Sequence, residues 1–202
     1  MIHDKSTAIE AYVELIKQYN DTVNIYSKKS YDRLPMHIAD AINMADLTQG
    51  STIHADLGSG AGLPAIVMAI YSSARIICIE SKQKKRRFLN HVKQTLGLHN
   101  VDVYEGDWQS FCSTYRAGRI TSLSAKAFAK PPKLLSYLSL LRPHQYHSDA
   151  GCWVPISENQ AQILSAYDEI IRVPGDYPCV YFKVRLSAYR SYRDDLKRQY
   201  NR

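Results

Sequence analysis

The chain has 202 residues, of which 45% are hydrophobic and 22% charged, with a formal net charge of +7. This length suits one domain plus an extension, and this composition excludes a disordered chain. No apolar run is long enough to cross a membrane, and the N-terminus lacks the layout of a signal peptide. We therefore expect a cytoplasmic protein without membrane contact, most simply a monomer. The basic excess favours polyanionic partners such as nucleic acid.

Four cysteines, Cys78, Cys112, Cys152 and Cys179, are scattered without a CxxC spacing. Their placement predicts reduced thiols and no disulfide framework. His144, His147 and Cys152 offer an alternative metal site, but their spacing matches no strong zinc pattern, so we expect no metal.

The hydrophobic pattern changes near Ser51. Before it, residues 7–19 and 34–45 have apolar positions at helical spacing, and we expect residues 1–50 to form an N-terminal helical cap. After it, short apolar runs alternate with helical patterns, which predicts βαβ units and a parallel sheet. The predicted strands are 53–57, 75–80, 101–105, 121–125, 152–155 and 179–184, and the predicted helices of this part are 63–71, 84–96, 134–141 and 158–167.

A glycine-rich loop follows the first predicted strand and opens a helix, with the sequence Asp56-Leu57-Gly58-Ser59-Gly60-Ala61-Gly62-Leu63-Pro64. Gly58 and Gly60 would let the backbone approach a ligand, and Gly62 would allow close helix packing. Glu80 follows about 20 residues later, where an acid accepts hydrogen bonds from ribose hydroxyls.

The spacing of this loop separates two cofactor classes. Dinucleotide loops use GxGxxG to seat a pyrophosphate, whereas this loop has GxGxG preceded by Asp56. Asp56 would repel a pyrophosphate but suits the ammonium and sulfonium of S-adenosylmethionine. The loop therefore favours this methyl donor, and an NAD-dependent oxidoreductase remains the alternative.

The segment after the third predicted strand completes the predicted cofactor site. There Trp108 would stack on adenine and the backbone near Gln109 would bind the edge of the base, although ordinary packing of Trp108 is equally compatible. The candidate cofactor residues are Asp56, Gly58, Ser59, Gly60, Gly62, Leu63, Glu80, Ser81, Asp107, Trp108 and Gln109. Together they predict a Rossmann-like class I methyltransferase, an α/β fold with a mostly parallel seven-stranded sheet and helices on both faces. The catalytic domain would span residues 51–202.

Five ordered segments resemble the glucose-inhibited division protein B family, which methylates ring nitrogen seven of a guanine in bacterial 16S rRNA. The segments are residues 17–25, His37-Ile38-Ala39-Asp40, the glycine loop with its Gly-Leu-Pro, Glu80-Ser81 with Lys84 and Arg87-Phe88-Leu89, and Ala125-Lys126-Ala127-Phe128. The resemblance implies a methyltransferase that acts on ribosomal RNA or the small ribosomal subunit. It departs from the family at Met36, Ala41, Lys126 and Trp153-Val154-Pro155, and these departures leave the target base open.

The resemblance also implies roles for residues outside the glycine loop. His37 and Lys126 are the candidate catalytic residues, and Asn24, Lys84 and Lys126 are the candidate RNA contacts. The basic run Lys82–Arg87 and the tyrosine-interleaved segment Lys183–Arg202 fit RNA binding, although a solvated face and a docked terminal helix fit them as well. A local hydrogen bond from His37 or Asp40 that fixes the cap is also open.

Two further functions remain alternatives. A methyltransferase for a protein or small molecule would share the cofactor site without needing basic surfaces. A non-catalytic RNA-binding relative would keep a degenerate cofactor pocket.

Overall fold

The structure is a computed structural model that describes residues 4–126, 128–129, 131–163 and 169–187. The described α-helices are α1 Lys5–Asn20, α2 Leu34–Leu47, α3 Ala65–Tyr71, α4 Gln83–Thr95, α5 Trp108–Thr114, α6 Pro131–Leu138 and α7 Glu158–Ile163. The described strands are β1 Ile53–Leu57, β2 Arg75–Ile79, β3 Val101–Tyr104, β4 Ile120–Ser124, β5 Tyr146–Ile156, β6 Ile170–Val173 and β7 Cys179–Arg185.

The strands form one seven-stranded sheet with the order β3-β2-β1-β4-β5-β7-β6. The first five pair in parallel, whereas β7 is antiparallel to both of its neighbours. The predicted α/β fold and mostly parallel seven-stranded sheet are therefore confirmed.

Both faces of the sheet are covered by helices, as the strand sequences require. In β2, Ile76 and Cys78 belong to one buried cluster while Ile77 and Ile79 belong to the other. A strand that is buried on both faces is expected to be a continuous apolar run, and Arg-Ile-Ile-Cys-Ile fits this pattern.

The two N-terminal helices share the core of the sheet domain. Tyr12 of α1 and Met44 of α2 are fully buried in the same cluster as Ile66 of α3. The Tyr12 hydroxyl donates to the Ala61 carbonyl at 2.6 Å and so ties α1 to the glycine loop. A domain boundary near residue 50 stays a prediction.

Several predicted elements differ from the structure. α6 begins and ends three residues before the predicted positions, since it spans Pro131–Leu138 and not residues 134–141. β5 has 11 residues, so the predicted strand at 152–155 was too short. The prediction missed α5 and β6, and residues 164–167 of the last predicted helix lie outside the described residues.

The four cysteines are free thiols, as predicted. The alternative metal site at His144, His147 and Cys152 is not formed, because Cys152 is fully buried in β5 and the described part of the chain contains no group of three metal-ligating side chains. Within the described ranges, no helix is long and apolar enough to cross a bilayer.

Candidate active site

The strand order reverses between β1 and β4, and ligands of open α/β sheets bind at such a point, beyond the carboxyl ends of the strands. Asp56 lies near the carboxyl end of β1, and Ser124 lies directly beside it in register at the end of β4. The glycine loop leaves β1 at the same edge. The sequence-predicted acid and the topological switch point therefore coincide.

Asp56 is 1% exposed and has one satisfied and one unsatisfied carboxylate oxygen. Its Oδ1 accepts a hydrogen bond from the Ser124 hydroxyl at 2.5 Å, while its buried Oδ2 has no partner. Burial raises the pKa of Asp56 to about 6. The Ser124 hydrogen bond, the nearby Ser59 hydroxyl, which donates to the Asp56 backbone carbonyl at 3.1 Å, and the positive charge of Lys126 oppose this rise. An unpartnered buried carboxylate oxygen is costly unless a donor or cation reaches it.

A row of buried polar side chains supports Asp56 from within the sheet. His54 of β1 is fully buried, with Nδ1 2.7 Å from the Ser122 hydroxyl and Nε2 2.8 Å from the Ser124 hydroxyl. Burial lowers the pKa of His54 to about 3, so the ring is neutral and has a single N–H.

The donors of this row follow from counting protons. Since the Ser124 hydroxyl donates to Asp56, it must accept from His54 Nε2–H, and His54 Nδ1 must then accept from Ser122. The row therefore orients the Ser124 hydroxyl toward the carboxylate. Sequence reasoning missed His54, although its polar ring alternates with Asp56 in a strand that is otherwise apolar.

Glu80 fixes the glycine loop against the start of α4. Its Oε2 accepts from Gly60 N at 2.9 Å and its Oε1 accepts from Lys82 N at 2.8 Å. Gly58 adopts a φ of +70°, which places its backbone in the left-handed region that favours glycine. Gly62 sits where a Cβ would collide with Ile66 of α3, so the lack of a side chain allows close packing against the helices here.

A cavity of about 280 Å³ lies beside this loop. Six of the predicted cofactor residues line it, namely Gly58, Glu80, Ser81, Asp107, Trp108 and Gln109. The other five predicted residues do not line it. Asp56 belongs to β1, and the rest belong to the glycine loop, namely Ser59, Gly60, Gly62 and Leu63. The structure adds three lining residues that the sequence did not indicate, Ile79, Phe128 and Tyr137.

Two aromatic side chains shape this cavity. Trp108 is 3% exposed, its indole N–H donates to the Tyr137 carbonyl at 2.7 Å, and its ring stacks on Phe111, so much of this side chain is committed to packing. The Phe128 ring covers Gly58 so closely that a Cβ there would lie 2.6 Å from it. Gly58 is therefore required both for its backbone angle and for this contact.

Lys126 is one of the residues that line a second cavity, of about 470 Å³. Polar and apolar side chains line it, including His37, Asp40 and Lys126 together with Met36, Pro155 and Val180. Met36 is 38% exposed, although it is a large apolar residue, and it lies at this opening.

Asp40 organises the polar wall of the second cavity. It is 6% exposed, its Oδ2 contacts Lys126 Nζ at 2.5 Å, and its Oδ1 accepts from the Tyr181 hydroxyl at 2.5 Å. Burial, then the Asp40 charge, raises the pKa of Tyr181 far above its ordinary value, so this hydroxyl stays a donor. We refer to Asp40, Lys126 and Tyr181 as the Asp40 cluster.

His37 lies beside the Asp40 cluster but points to a different partner. Its Nδ1 is 2.6 Å from the Tyr26 hydroxyl. Burial, then the charge of Lys126, lowers the pKa of His37, so the imidazole is neutral at neutral pH. Of the two predicted catalytic residues, His37 and Lys126, it is Lys126 whose positive charge lowers the pKa of Asp56.

The predicted RNA contacts are dispersed. Asn24 lines a third cavity, described below, whereas Lys84 is exposed on α4 and lines none of the three cavities. Most of the basic C-terminal segment, residues 188–202, lies outside the described residues.

The site residues suit S-adenosylmethionine. The unpartnered Asp56 oxygen is a match for an ammonium group, and Glu80 keeps lone pairs for ribose hydroxyls after binding two backbone N–H groups. The loop reads GxGxG and not GxGxxG. It therefore lacks the glycine spacing with which dinucleotide-binding loops present backbone N–H groups to a pyrophosphate.

Comparison with known proteins gives the same family. The profile of GidB, described as rRNA small subunit methyltransferase G, matches residues 5–147. A ribosomal RNA small subunit methyltransferase G from Paracoccus denitrificans is 32% identical over 171 residues, which cover 80% of this chain and 81% of the relative. One from Helicobacter pylori J99 is 29% identical over 115 residues, which cover 56% of this chain and 65% of the relative.

Among solved structures, a methyltransferase from Geobacter sulfurreducens superposes with a TM-score of 0.59 at 16% identity, covering 93% of this chain and 91% of that one. This likeness shows a shared fold. The family profile covers well over half of the chain, and the chain therefore belongs to the GidB family of rRNA small subunit methyltransferases G.

Proposed function

We propose that this chain transfers a methyl group from S-adenosylmethionine to small-subunit ribosomal RNA, at ring nitrogen seven of a guanine. The family match over residues 5–147 carries this proposal. The buried acid at the switch point supports the cofactor assignment, and the second cavity, which Lys126 lines, supports a substrate of nucleotide size.

Bound S-adenosylmethionine supplies an electrophilic methyl group on its sulfonium. Ring nitrogen seven of guanine has a free lone pair, so the chain needs no general base, and its task is to align the reactants and stabilise charge. The neutral, hydrogen-bonded His37 agrees with a role in orientation.

Lys126 links the second cavity, where we place the substrate, to Asp56 in the proposed cofactor site. It lines the second cavity and its charge acts on Asp56 at the end of β1. We propose that guanine enters the second cavity and that Lys126 contacts its oxygen or a neighbouring phosphate. Lysine lacks the planar fork of the arginine that the family carries here, and the fixed Asp40 contact compensates by holding the ammonium in one place.

The proposed cofactor contacts are the six lining residues of the 280 Å³ cavity and the Asp56 oxygen. Ser59, Gly60, Gly62 and Leu63 act through the shape of the loop. The protein is proposed to act as a monomer on RNA.

The test is transfer of labelled methyl from S-adenosylmethionine to small ribosomal subunits that lack this modification, followed by nucleoside analysis. We expect label in 7-methylguanosine. Binding of NAD in competition with the methyl donor would favour an oxidoreductase. Label in a protein or small molecule would favour the second alternative. RNA binding with no label would favour a non-catalytic relative.

A further inference from the structure

A third cavity, of about 590 Å³, collects positive charge from two separate segments. Lys28 and Lys29 lie on one wall, and Lys82 and Lys85 lie on the other, at the start of α4. The rest of the lining consists of Asn20, Asn24, Ile25, Tyr26 and Ser27. We call this pocket the lysine cavity.

Hydrogen bonds of the buried Asn20 side chain fix one wall of the lysine cavity. Asn20 is 5% exposed, its Oδ1 accepts from Ile25 N at 2.8 Å, and its Nδ2 donates to the Tyr26 carbonyl at 2.6 Å. These bonds fix the course of the backbone just before Lys28 and Lys29. The cations on this wall are therefore presented by a defined turn.

The other wall is fixed by Glu80, which accepts from Lys82 N at 2.8 Å. Lys82 caps α4 without a side-chain hydrogen bond, and the first turn of α4 contains no acid. The positive end of the helix dipole thus adds to the lysine charges and does not compensate them.

Few acids neutralise this charge. Lys28 pairs with Asp21 at 3.2 Å, and both side chains are well exposed. Within the described residues, Lys29, Lys82 and Lys85 make no ion pair. Like charges that converge on a concave surface repel each other unless a polyanion binds between them.

The position of the lysine cavity matters for its ligand. Lys85 Nζ lies 3.8 Å from where a Cβ on Gly60 would be, and Glu80 contacts both Gly60 and Lys82. The lysine cavity therefore borders the glycine loop. A chain of phosphates bound in it would run beside that loop.

We propose that the lysine cavity is a binding site for the phosphodiester backbone of the RNA substrate. This inference rests on the proposed function for the identity of the polyanion. Asn24 adds an amide that hydrogen-bonds phosphate or sugar oxygens, whereas the lysines act as point charges. The site fixes where the RNA lies and contributes nothing to the choice of base.

The test compares two double variants of the full chain that remove the same charge. K29Q/K85Q removes one unpaired lysine from each wall. The control, K5Q/K93Q, removes two lysines outside the cavity, one of them from the end of the same helix α4. Binding of an end-labelled small-subunit rRNA fragment is measured by fluorescence anisotropy over a range of salt concentrations, and binding of S-adenosylmethionine is measured by calorimetry.

We expect K29Q/K85Q to weaken RNA binding by roughly tenfold or more near physiological salt and to reduce the slope of log K against log salt by about one to two. The control should change both values far less, and neither variant should change the Kd of S-adenosylmethionine. Equal RNA binding by the two variants, or no RNA binding by the wild type, would overturn the proposal. Weaker cofactor binding in K29Q/K85Q would instead assign the cations to the carboxylate of the cofactor.

This binding test does not depend on catalysis. If the wild type binds the RNA through these lysines but transfers no methyl group, the proposed function fails while the phosphate site stands. If transfer to RNA occurs and K29Q/K85Q behaves as the control does, the reverse holds.

Discussion

Two regions of the molecule contain a buried aspartate, Asp56 beside the glycine loop and Asp40 in the Asp40 cluster. The two carboxylates differ in their hydrogen bonding. Asp56, beside the loop, keeps one oxygen without a partner, whereas Asp40 has both oxygens engaged, by Lys126 and by Tyr181. The difference supports the proposal that Asp56 binds a ligand, whereas Asp40 holds the side chains of Lys126 and Tyr181 in place.

The largest effect is expected from D56N. Removing the charge that we propose to face the ammonium of the cofactor should raise the Kd of S-adenosylmethionine by roughly a hundredfold to a few thousandfold, since breaking a buried ion pair costs about 3–5 kcal/mol. The apo protein should not lose stability at pH 7.5, because a neutral amide avoids the burial penalty that raises the pKa of Asp56. Calorimetry and thermal unfolding measure the two quantities.

The matched control is D46N, which neutralises an exposed acid on α2. It should leave both quantities unchanged. If D56N destabilised the apo protein and left cofactor binding intact, Asp56 would be a structural acid and the contrast between the two acids would be lost.

The next effect is expected from D40N. Without its carboxylate, Lys126 is no longer held, so kcat/KM for RNA should fall by roughly a hundredfold, as expected when one partner of a partly buried charge pair is removed. The Kd of S-adenosylmethionine should stay within about twofold, because no residue of the Asp40 cluster lines the 280 Å³ cavity.

A double-mutant cycle with K126Q distinguishes positioning from general damage. D40N and K126Q should be non-additive, with a coupling free energy of about 1–3 kcal/mol, and K126R should retain much of the activity because it keeps the charge on Asp40. Additive losses would mean that Asp40 and Lys126 act independently.

A smaller effect is expected from pH. A bound cation favours the ionised form of Asp56, whose pKa is raised to about 6, so the Kd of S-adenosylmethionine should fall as pH rises through 6. For the apo protein the sign is opposite. Because the folded state holds this proton more tightly than the unfolded chain, the free energy of unfolding falls as pH rises from the ordinary aspartate range toward 6.

Two variants sharpen the pH prediction. D56N should remove the pH dependence of cofactor binding near 6. S124A removes a hydrogen bond that lowers the pKa of Asp56, so its midpoint should move above 6. A midpoint that is unchanged in S124A would contradict the assignment of this titration to Asp56.

The smallest effect is expected from Y181F. It removes one of the two side-chain partners of Asp40 and should cost about 1.5 kcal/mol of stability, the lower end of the range for a hydrogen bond to a charged group. Activity should fall by less than in D40N, since Lys126 keeps its ion pair. Chemical denaturation and steady-state kinetics with RNA measure both.

The same contrast explains what could be predicted from the sequence. The glycine loop and Glu80 are joined by contacts 20 residues apart, and a fixed glycine spacing identifies them. The Asp40 cluster joins residues separated by 86 and 141 positions, and no local pattern indicates which partner a buried acid will meet. Family resemblance pointed to Asp40 and Lys126 but not to Tyr181, the second side-chain partner of Asp40.

Short elements were missed for a related reason. α5 has seven residues, too few for a clear helical period, although Asp107 caps it by accepting from Ser110 N at 2.8 Å. β6 has four residues and, among the described residues, pairs with β7 alone, so its strand character depends on a neighbour that lies later in the chain.

The most direct test of the account is methyl transfer to small ribosomal subunits that lack the modification, with the wild type, D56N and K126Q compared at saturating S-adenosylmethionine. We expect 7-methylguanosine in the RNA with the wild type. D56N should be partly active, because excess cofactor offsets its weaker binding, and K126Q should transfer far less methyl despite normal cofactor binding. Full activity of K126Q, or no label in RNA from a wild type that binds the cofactor, would contradict it.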